Sequence, residues 1–359
     1  MRTWRKSRLV FLLLLVFSMI VSGGVSVTEG RMQTGISIAV TIAPLEGIVR
    51  SVGGANIETT VLLTEGVEPH AFSVDPSVIS AAQDADLLVL TGHFHWEEDL
   101  IEAVSTAFIT MDDERALASY EEYGAALSEM PGSREAEATP SQHNHEEGNP
   151  HSWWLLPRNA IAVANTTRVA LNTLNGSLSD FWTANFNEFV AEIDSLQSLV
   201  ESQDEVYGFS DMHAIVVFPA EAYVAEAFGI EVEAVLMEGG LTISGGELLQ
   251  VQETLRNGSV QLILGSDVAR LQAGGEFAEQ LVQDYGGTLI WWRAVFFSGL
   301  NDYLSLMTYN LGALTSGLDD RGSNEYDSSL ILLFGGLAGV LGIIVLVETI
   351  LLVRRSRSD

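Results

Sequence analysis

The residues of this chain best suited to chemistry are histidines, and two of them are set by prolines. The seven are His70, His93, His95, His143, His145, His151 and His213. Neutral imidazole is the commonest metal ligand, although a single histidine is more often an ordinary surface or core residue. His70 follows proline in Glu68-Pro69-His70, and His151 does so in Asn149-Pro150-His151-Ser152-Trp153-Trp154. Proline fixes the local backbone and so helps to pre-orient the next side chain. Glu238, followed by Gly239-Gly240, adds a carboxylate at the end of an expected strand. Two imidazoles and a carboxylate suit a divalent first-row ion; oxygen-rich sites lean toward Mn2+ and imidazole-rich sites toward Zn2+. His93 and His95 are an i, i+2 pair that would point the same way in an extended segment, giving a possible second site. His143 and His145 sit in a His- and acid-rich loop that would either gather metal or simply be solvated. Trp153, Trp154, Trp291 and Trp292 read as packing rather than as a cofactor box.

The bulk numbers exclude other chemistries. Acidic residues outnumber basic ones 48 to 17, a formal charge of -31. A nucleic-acid partner calls for the opposite sign, so none is expected. The chain has no cysteine, which removes disulfides, thiolate metal sites, a cysteine nucleophile and a cysteine-linked lipid. There is no H-E-x-x-H pattern, and no general base stands out beside the candidate ligands except Glu238 itself. A metal-dependent hydrolase, in which an open zinc position activates water, is therefore a weaker alternative to simple metal binding.

Both ends look built for a membrane. Arg2, Arg5, Lys6 and Arg8 precede the apolar run Leu9 to Val21 and then Ser22-Gly23-Gly24, so residues 1–25 read as a signal peptide or N-terminal membrane segment. Residues 330–353 form a second apolar run, about 36 Å long as a helix and enough for a core of about 30 Å. Arg354, Arg355 and Arg357 follow in a short tail, 354–359, expected in the cytoplasm. The acidic, Gly/Ser-containing stretch 317–329 reads as a tether. The domain between the two ends is thus expected outside the cell membrane.

Strands and helices alternate through that domain. Ile36 to Ile42, Ile57 to Leu63, Asp86 to Thr91 and Phe108 to Met111 read as strands, with helices at Leu45 to Val52, after Asp75-Pro76, and at Glu97 to Ala107. Residues 119–148 read as a mobile insertion. A helix is expected from Pro157 to Leu174 and a longer one over 178–203, where Trp182, Phe186, Phe189, Ile193, Leu196 and Val200 recur at helical spacing. Alternation then resumes up to a closing helix, Asp302 to Leu314. The fold class expected is α/β: two parallel-sheet lobes, 34–177 and 204–316, joined by the long helix. Ligands of such sheets sit outside the carboxyl ends of the strands, where His70 and Glu238 are expected.

Several pieces of this chain, in order, resemble the zinc/manganese substrate-binding proteins of metal ABC importers. They are Ala43-Pro44-Leu45, Gly66-Val67-Glu68-Pro69-His70-Ala71-Phe72, Ala85-Asp86-Leu87-Leu88-Val89, Thr91-Gly92, Asn149-Pro150-His151-Ser152-Trp153, Pro157-Arg158-Asn159-Ala160 and Tyr303-Leu304-Ser305-Leu306-Met307-Thr308-Tyr309. The resemblance implies two lobes joined by a rigid helix, with His70 and His151 as metal ligands. Zinc members carry a third His where this chain has Phe218. Manganese members use a Glu after the next strand, which Glu238 fits. The family's fourth ligand is an Asp before the last helix; that loop, Arg293 to Asn301, has no acid, so Asp302 and Asp267 are the candidates. The implied function is a monomeric, non-enzymatic receptor that captures Zn2+ or Mn2+ and delivers it to an ABC permease at the membrane. A degenerate member acting as a tethered adhesin or scaffold is the alternative, supported by Phe218 and the missing loop Asp.

Overall fold

The computed structural model describes residues 35–131, 148–238, 241–295, 300 and 302–319. The expected N-terminal membrane segment, the run 330–353, the tail 354–359 and the loop histidines His143 and His145 lie outside those residues. Among the described residues no helix is long and apolar enough to cross a membrane.

The first sheet contains β1 (Ile36–Val40), β2 (Ile57–Val61), β3 (Leu87–Val89), β4 (Phe108–Thr110) and β5 (Ala118–Ser119), all parallel, in the order β2-β1-β3-β4-β5. Helix α1 (Ala43–Gly53) crosses from β1 to β2; Pro44 stands in its first turn and Gly54, at φ 55°, ends it. Helix α2 (Pro76–Gln83) is capped by the Asp75 carboxylate, which accepts from the Ser77 and Val78 N–H groups. Such a cap satisfies donors the helix itself leaves free. Helix α3 (His95–Ala103) leads to β4.

Helices α4 (Pro157–Leu174) and α5 (Ser179–Tyr207) follow. On α5 the residues Trp182, Phe189, Ile193 and Leu196 are buried, forming the core-facing stripe that the spacing predicts. The Asn185 side-chain amide donates to Val52 O at 2.8 Å, fixing α5 against the end of α1.

The second sheet contains β6 (His213–Val216), β7 (Glu231–Val235), β10 (Leu262–Ser266) and β11 (Thr288–Trp292), again parallel, in the order β11-β10-β6-β7. Helix α6 (Ala222–Ala227) lies between β6 and β7. Strands β8 (Met237–Glu238) and β9 (Leu241–Thr242) form a small antiparallel pair beside it. Helices α7 (Gly245–Asn257), α8 (Ala273–Tyr285) and α9 (303–319) complete the lobe. Both faces of this sheet are covered. Ala214, Val216, Leu262, Leu264, Ile290 and Trp292 join the larger core, whereas Ile215, Val217 and Ile263 join a smaller one with Val251, Leu255, Ala278 and Leu281. Alternate residues facing alternate cores explain why these strands read as unbroken apolar runs.

The insertion expected at 119–148 needs correction at its start. Tyr120 is fully buried, and its hydroxyl donates to Leu90 O at 2.9 Å. The Asn159 side chain accepts from Ala126 N–H and donates to Ala126 O, both at 3.0 Å. A single aromatic anchor and one asparagine clip pack a stretch whose composition reads as solvated. Residues 132–147 lie outside the described part.

Candidate metal centre

In each sheet the strand order reverses next to the strand that comes first in the sequence, between β1 and β3 and between β6 and β10. A crevice opens at the carboxyl ends of strands at such a point. The two lobes face each other there across a cavity of 470 Å³, lined on one side by His70, His93, Phe94 and His151 and on the other by Phe218, Pro219, Ser266, Val268 and Gln272.

His70 is carried on a single turn, Pro69–Ala71, after β2. The Glu68 carboxylate accepts from Ala71 N–H at 2.6 Å, and Trp96 Nε1–H donates to Pro69 O at 3.1 Å. The backbone on both sides of the imidazole is thereby fixed.

His93 sits in a loop wound around one buried carboxylate. Glu97 accepts from the N–H groups of Thr91 (2.6 Å), His93 (3.0 Å) and Phe94 (3.2 Å), and from the Thr91 hydroxyl (2.8 Å). Burial pushes the Glu97 carboxyl up, and the bonds to Thr91 and Phe94 pull it back. Gly92 makes the sharp turn at φ 74°, with no room for a side chain: a Cβ would lie 2.8 Å from Thr110 Oγ1. A left-handed φ beside such a close approach is where glycine is required.

His151 is oriented by Asn149. The Asn149 Oδ1 accepts from the His151 N–H and lies 3.1 Å from His151 Nδ1. A proton on Nδ1 would then leave Nε2 free for a metal, the usual arrangement behind a ligating histidine. Ser152 follows at φ 61°, the one non-glycine in the left-handed region among the described residues. Trp153 Nε1–H donates to Thr91 O and Trp154 Nε1–H to Ala294 O, each at 3.3 Å. These two indoles fasten the His151 turn to the His93 loop and to the opposite lobe, which accounts for their burial.

The three rings converge. Centroids lie 4.9 Å apart for His70 and His93, 4.5 Å for His93 and His151, and 5.6 Å for His70 and His151. One nitrogen from each falls within 4.8 Å of the other two. Around an ion with M–N bonds of about 2.0–2.1 Å, tetrahedral neighbours stand roughly 3.3 Å apart, so small ring rotations suffice to close the set. His93 Nε2 is buried with no hydrogen-bond partner. Burial, followed by the neighbouring histidines, lowers His93 to about 3; burial, then His70, lowers His151 to about 4; burial also lowers His70 against the raising effect of Glu68. All three are therefore neutral near pH 7, the state a metal requires. An orphaned buried nitrogen among neutral imidazoles fits a metal ion better than it fits a packed core.

The structure places the other candidates elsewhere. His95 is the first residue of α3 and exposed, because the helix begins there rather than at Glu97; the pair His93 and His95 is not extended, and only His93 faces the cleft. Glu238 is exposed on β8, opposite in sense to buried Met237, and does not line the cavity. Asp267 is half-buried after β10; its Oδ1 accepts from Val268 N–H and Ala294 N–H at 3.0 and 3.1 Å. Asp302 caps α9, accepting from the Ser305 N–H at 2.7 Å and hydroxyl at 2.9 Å. His213 lies at the far end of β6 from the cleft, beside Glu233. Phe218 does line the cleft, in the place where the resemblance puts a third histidine in zinc members.

Comparison with known proteins agrees with this architecture. Residues 38–317 match the family described as zinc-uptake complex component A, periplasmic. The manganese-binding lipoprotein MntA of Halalkalibacterium halodurans is 19% identical over 315 residues, covering 85% of this chain and 96% of that protein. Among solved structures, the solute-binding protein FpvC of P. aeruginosa in complex with Ni2+ superposes with a TM-score of 0.62 at 18% identity, over 80% of this chain and 98% of that one. A Mn-bound periplasmic metal-binding protein from candidatus liberibacter asiaticus gives 0.61 at 17% identity, over 79% and 99%. The crystal structure of ZnuA gives 0.61 at 21% identity, over 79% and 98%.

Proposed function

The chain belongs to the zinc-uptake complex component A family, and from that premise we propose that it is an extracytoplasmic receptor that captures Zn2+ and hands it to an ABC permease. The observation that carries the reading is the convergence of His70, His93 and His151, with His93 Nε2 buried and unpartnered. Imidazole-rich sets favour zinc, whereas manganese is better served by carboxylates, and no Asp or Glu belongs to this cluster among the described residues.

All three ligands come from the first lobe. The second lobe supplies a mostly apolar wall, with Ser266 and Gln272 as its polar groups. The ion would thus be held by one lobe and covered by the other, and a shift of the wall would open the site without breaking a ligand that bridges the cleft. The fourth position faces the cavity, where water or the incoming carrier's ligand can reach it. The apolar run 330–353 and the arginines after it support anchoring of the receptor at the cell membrane with its lobes outside.

The test is elemental analysis and calorimetric titration of the metal-stripped full chain. One tightly held equivalent of zinc, bound in preference to manganese and lost in His93→Ala, is expected. A chain that retains neither ion and gives no heat with either would overturn the proposal.

A further inference from the structure

At the opposite end of the second sheet from the cleft, the first residue of β6 meets the edge strand β7. His213 is in register with Glu231. Glu231 and Glu233 are two residues apart on β7, both beside His213. The pairing then slips: Ala214 faces Val232, yet Ile215 faces Ala234, so Glu233 is the extra residue of a bulge. A bulge re-aims side chains at a sheet edge. Here it brings Glu233 Oε1 to 2.8 Å from His213 Nδ1, with Glu231 Oε2 at 3.8 Å on the other side. One ligand atom from each of the three residues lies within 4.8 Å of the others.

The backbone that carries this imidazole is fixed. The His213 N–H donates to Gln261 Oε1 at 3.0 Å, and the Gln261 N–H donates back to His213 O at 3.1 Å. The histidine is thus flanked by β7 on one side and held by the residue before β10 on the other. Two carboxylates share one imidazole nitrogen at a half-exposed edge, so the cluster carries excess negative charge. A cation there would relieve the repulsion between the carboxylates.

We propose that His213, Glu231 and Glu233 form a second divalent-metal site, separate from the cargo site, that clamps the edge strand β7 to β6. One nitrogen and two carboxylate oxygens suit zinc or a neighbouring first-row ion, with water completing the shell. The spacings of 2.8 and 3.8 Å bracket the roughly 3.3 Å separation of ligands around such an ion. Exposure and the small number of protein ligands make this the weaker of the two sites. Its role is to stabilise the edge of the second lobe when the metal is plentiful outside the cell.

The experiment is zinc titration of the full chain carrying His143→Ala and His145→Ala, which removes the loop histidines as competitors. Two classes of site are expected. Adding His213→Ala and Glu233→Gln should weaken the looser class at least tenfold and leave the tighter one intact, which also shows that the variant is folded. Adding His93→Ala instead should remove the tighter class and leave the looser one. Zinc should also raise the thermal midpoint of the His93→Ala chain, and not of the chain carrying His93→Ala and His213→Ala together. A looser class unchanged by His213→Ala and Glu233→Gln, or no looser class at all, would overturn the proposal, whatever becomes of the cargo site.

Discussion

Asn149 holds His151 and the opposite lobe at once. Its Oδ1 lies 3.1 Å from His151 Nδ1, while its Nδ2 donates to Pro219 O at 2.8 Å. The residue that orients a proposed ligand is therefore also the residue that senses where the second wall of the cleft stands. Asn149→Ala should lose about tenfold or more in zinc affinity, the usual cost of removing a group that orients a ligating histidine. Asn149→Asp keeps the acceptor for Nδ1 and loses the donor to Pro219, so it should bind zinc more tightly than Asn149→Ala. Calorimetric titration of the two variants measures the order; equal affinities would show that the contact to Nδ1 is incidental.

His93 and Glu238 should behave in opposite ways. His93→Ala removes one of three converging nitrogens and is expected to cost on the order of 100-fold in zinc affinity, at the top of the range for losing even an indirect partner of the metal. Glu238→Ala removes an exposed carboxylate that does not line the cavity, and should change affinity by less than about threefold, within the scatter of surface substitutions. A competition assay with a chromophoric chelator resolves both. Large loss in Glu238→Ala would return the ligand set to a histidine–glutamate arrangement.

The contrast between those two residues shows what the sequence could express. The alternation of strand and helix, the Pro-His steps and the stripe on α5 are local patterns, and each one found its element. His93 as a cleft residue was out of reach because it depends on where α3 begins. The helix starts at His95, and Glu97 folds back to accept three N–H groups of the preceding loop. A Thr-Gly step followed by a glutamate in the first turn of a helix is the one signal that could have suggested this. Glu238 was placed correctly at a strand end, but β8 turns into a hairpin whose alternation sends Met237 inward and Glu238 outward. Which carboxylates are already committed, such as Asp302 to its cap, is decided by contacts that spacing does not record.

Gly92 is the backbone element on which the His93 loop depends. At φ 74° with Thr110 Oγ1 2.8 Å from the position of a Cβ, Gly92→Ala must either strain the turn or push β4 away. A loss of about 1–3 kcal/mol is expected for a non-glycine held in such a conformation. Urea denaturation of the metal-free chain measures it. Zinc binding should weaken in the same variant because His93 moves with the loop; a variant with unchanged stability and weakened binding would place the effect in the site alone.

Glu221 should make the stability of the metal-free chain depend on pH in an unusual direction. It is buried just behind Phe218 and Pro219, and its Oε2 accepts from Phe218 N–H at 2.7 Å. Burial pushes its carboxyl up to about 8, and the nearby Asp267 charge adds to the rise, against the bonds to Ser266 and Phe218 that pull it down. In the unfolded chain the group returns to about 4.5. Between those two values the unfolded chain releases a proton that the folded chain keeps, so this group lowers stability as pH rises through the window and contributes no slope outside it. Glu221→Gln keeps an acceptor for the Phe218 N–H and removes the proton linkage. The variant should match the parent near pH 4.5 and exceed it at pH 8 by on the order of a few kcal/mol. All other titrating groups are common to both chains and cancel in the difference. Urea midpoints at pH 5 and pH 8 supply that difference directly. Parallel pH profiles for the two proteins would mean that Glu221 is ionised in the folded chain, and that a buried charge sits behind the cleft wall.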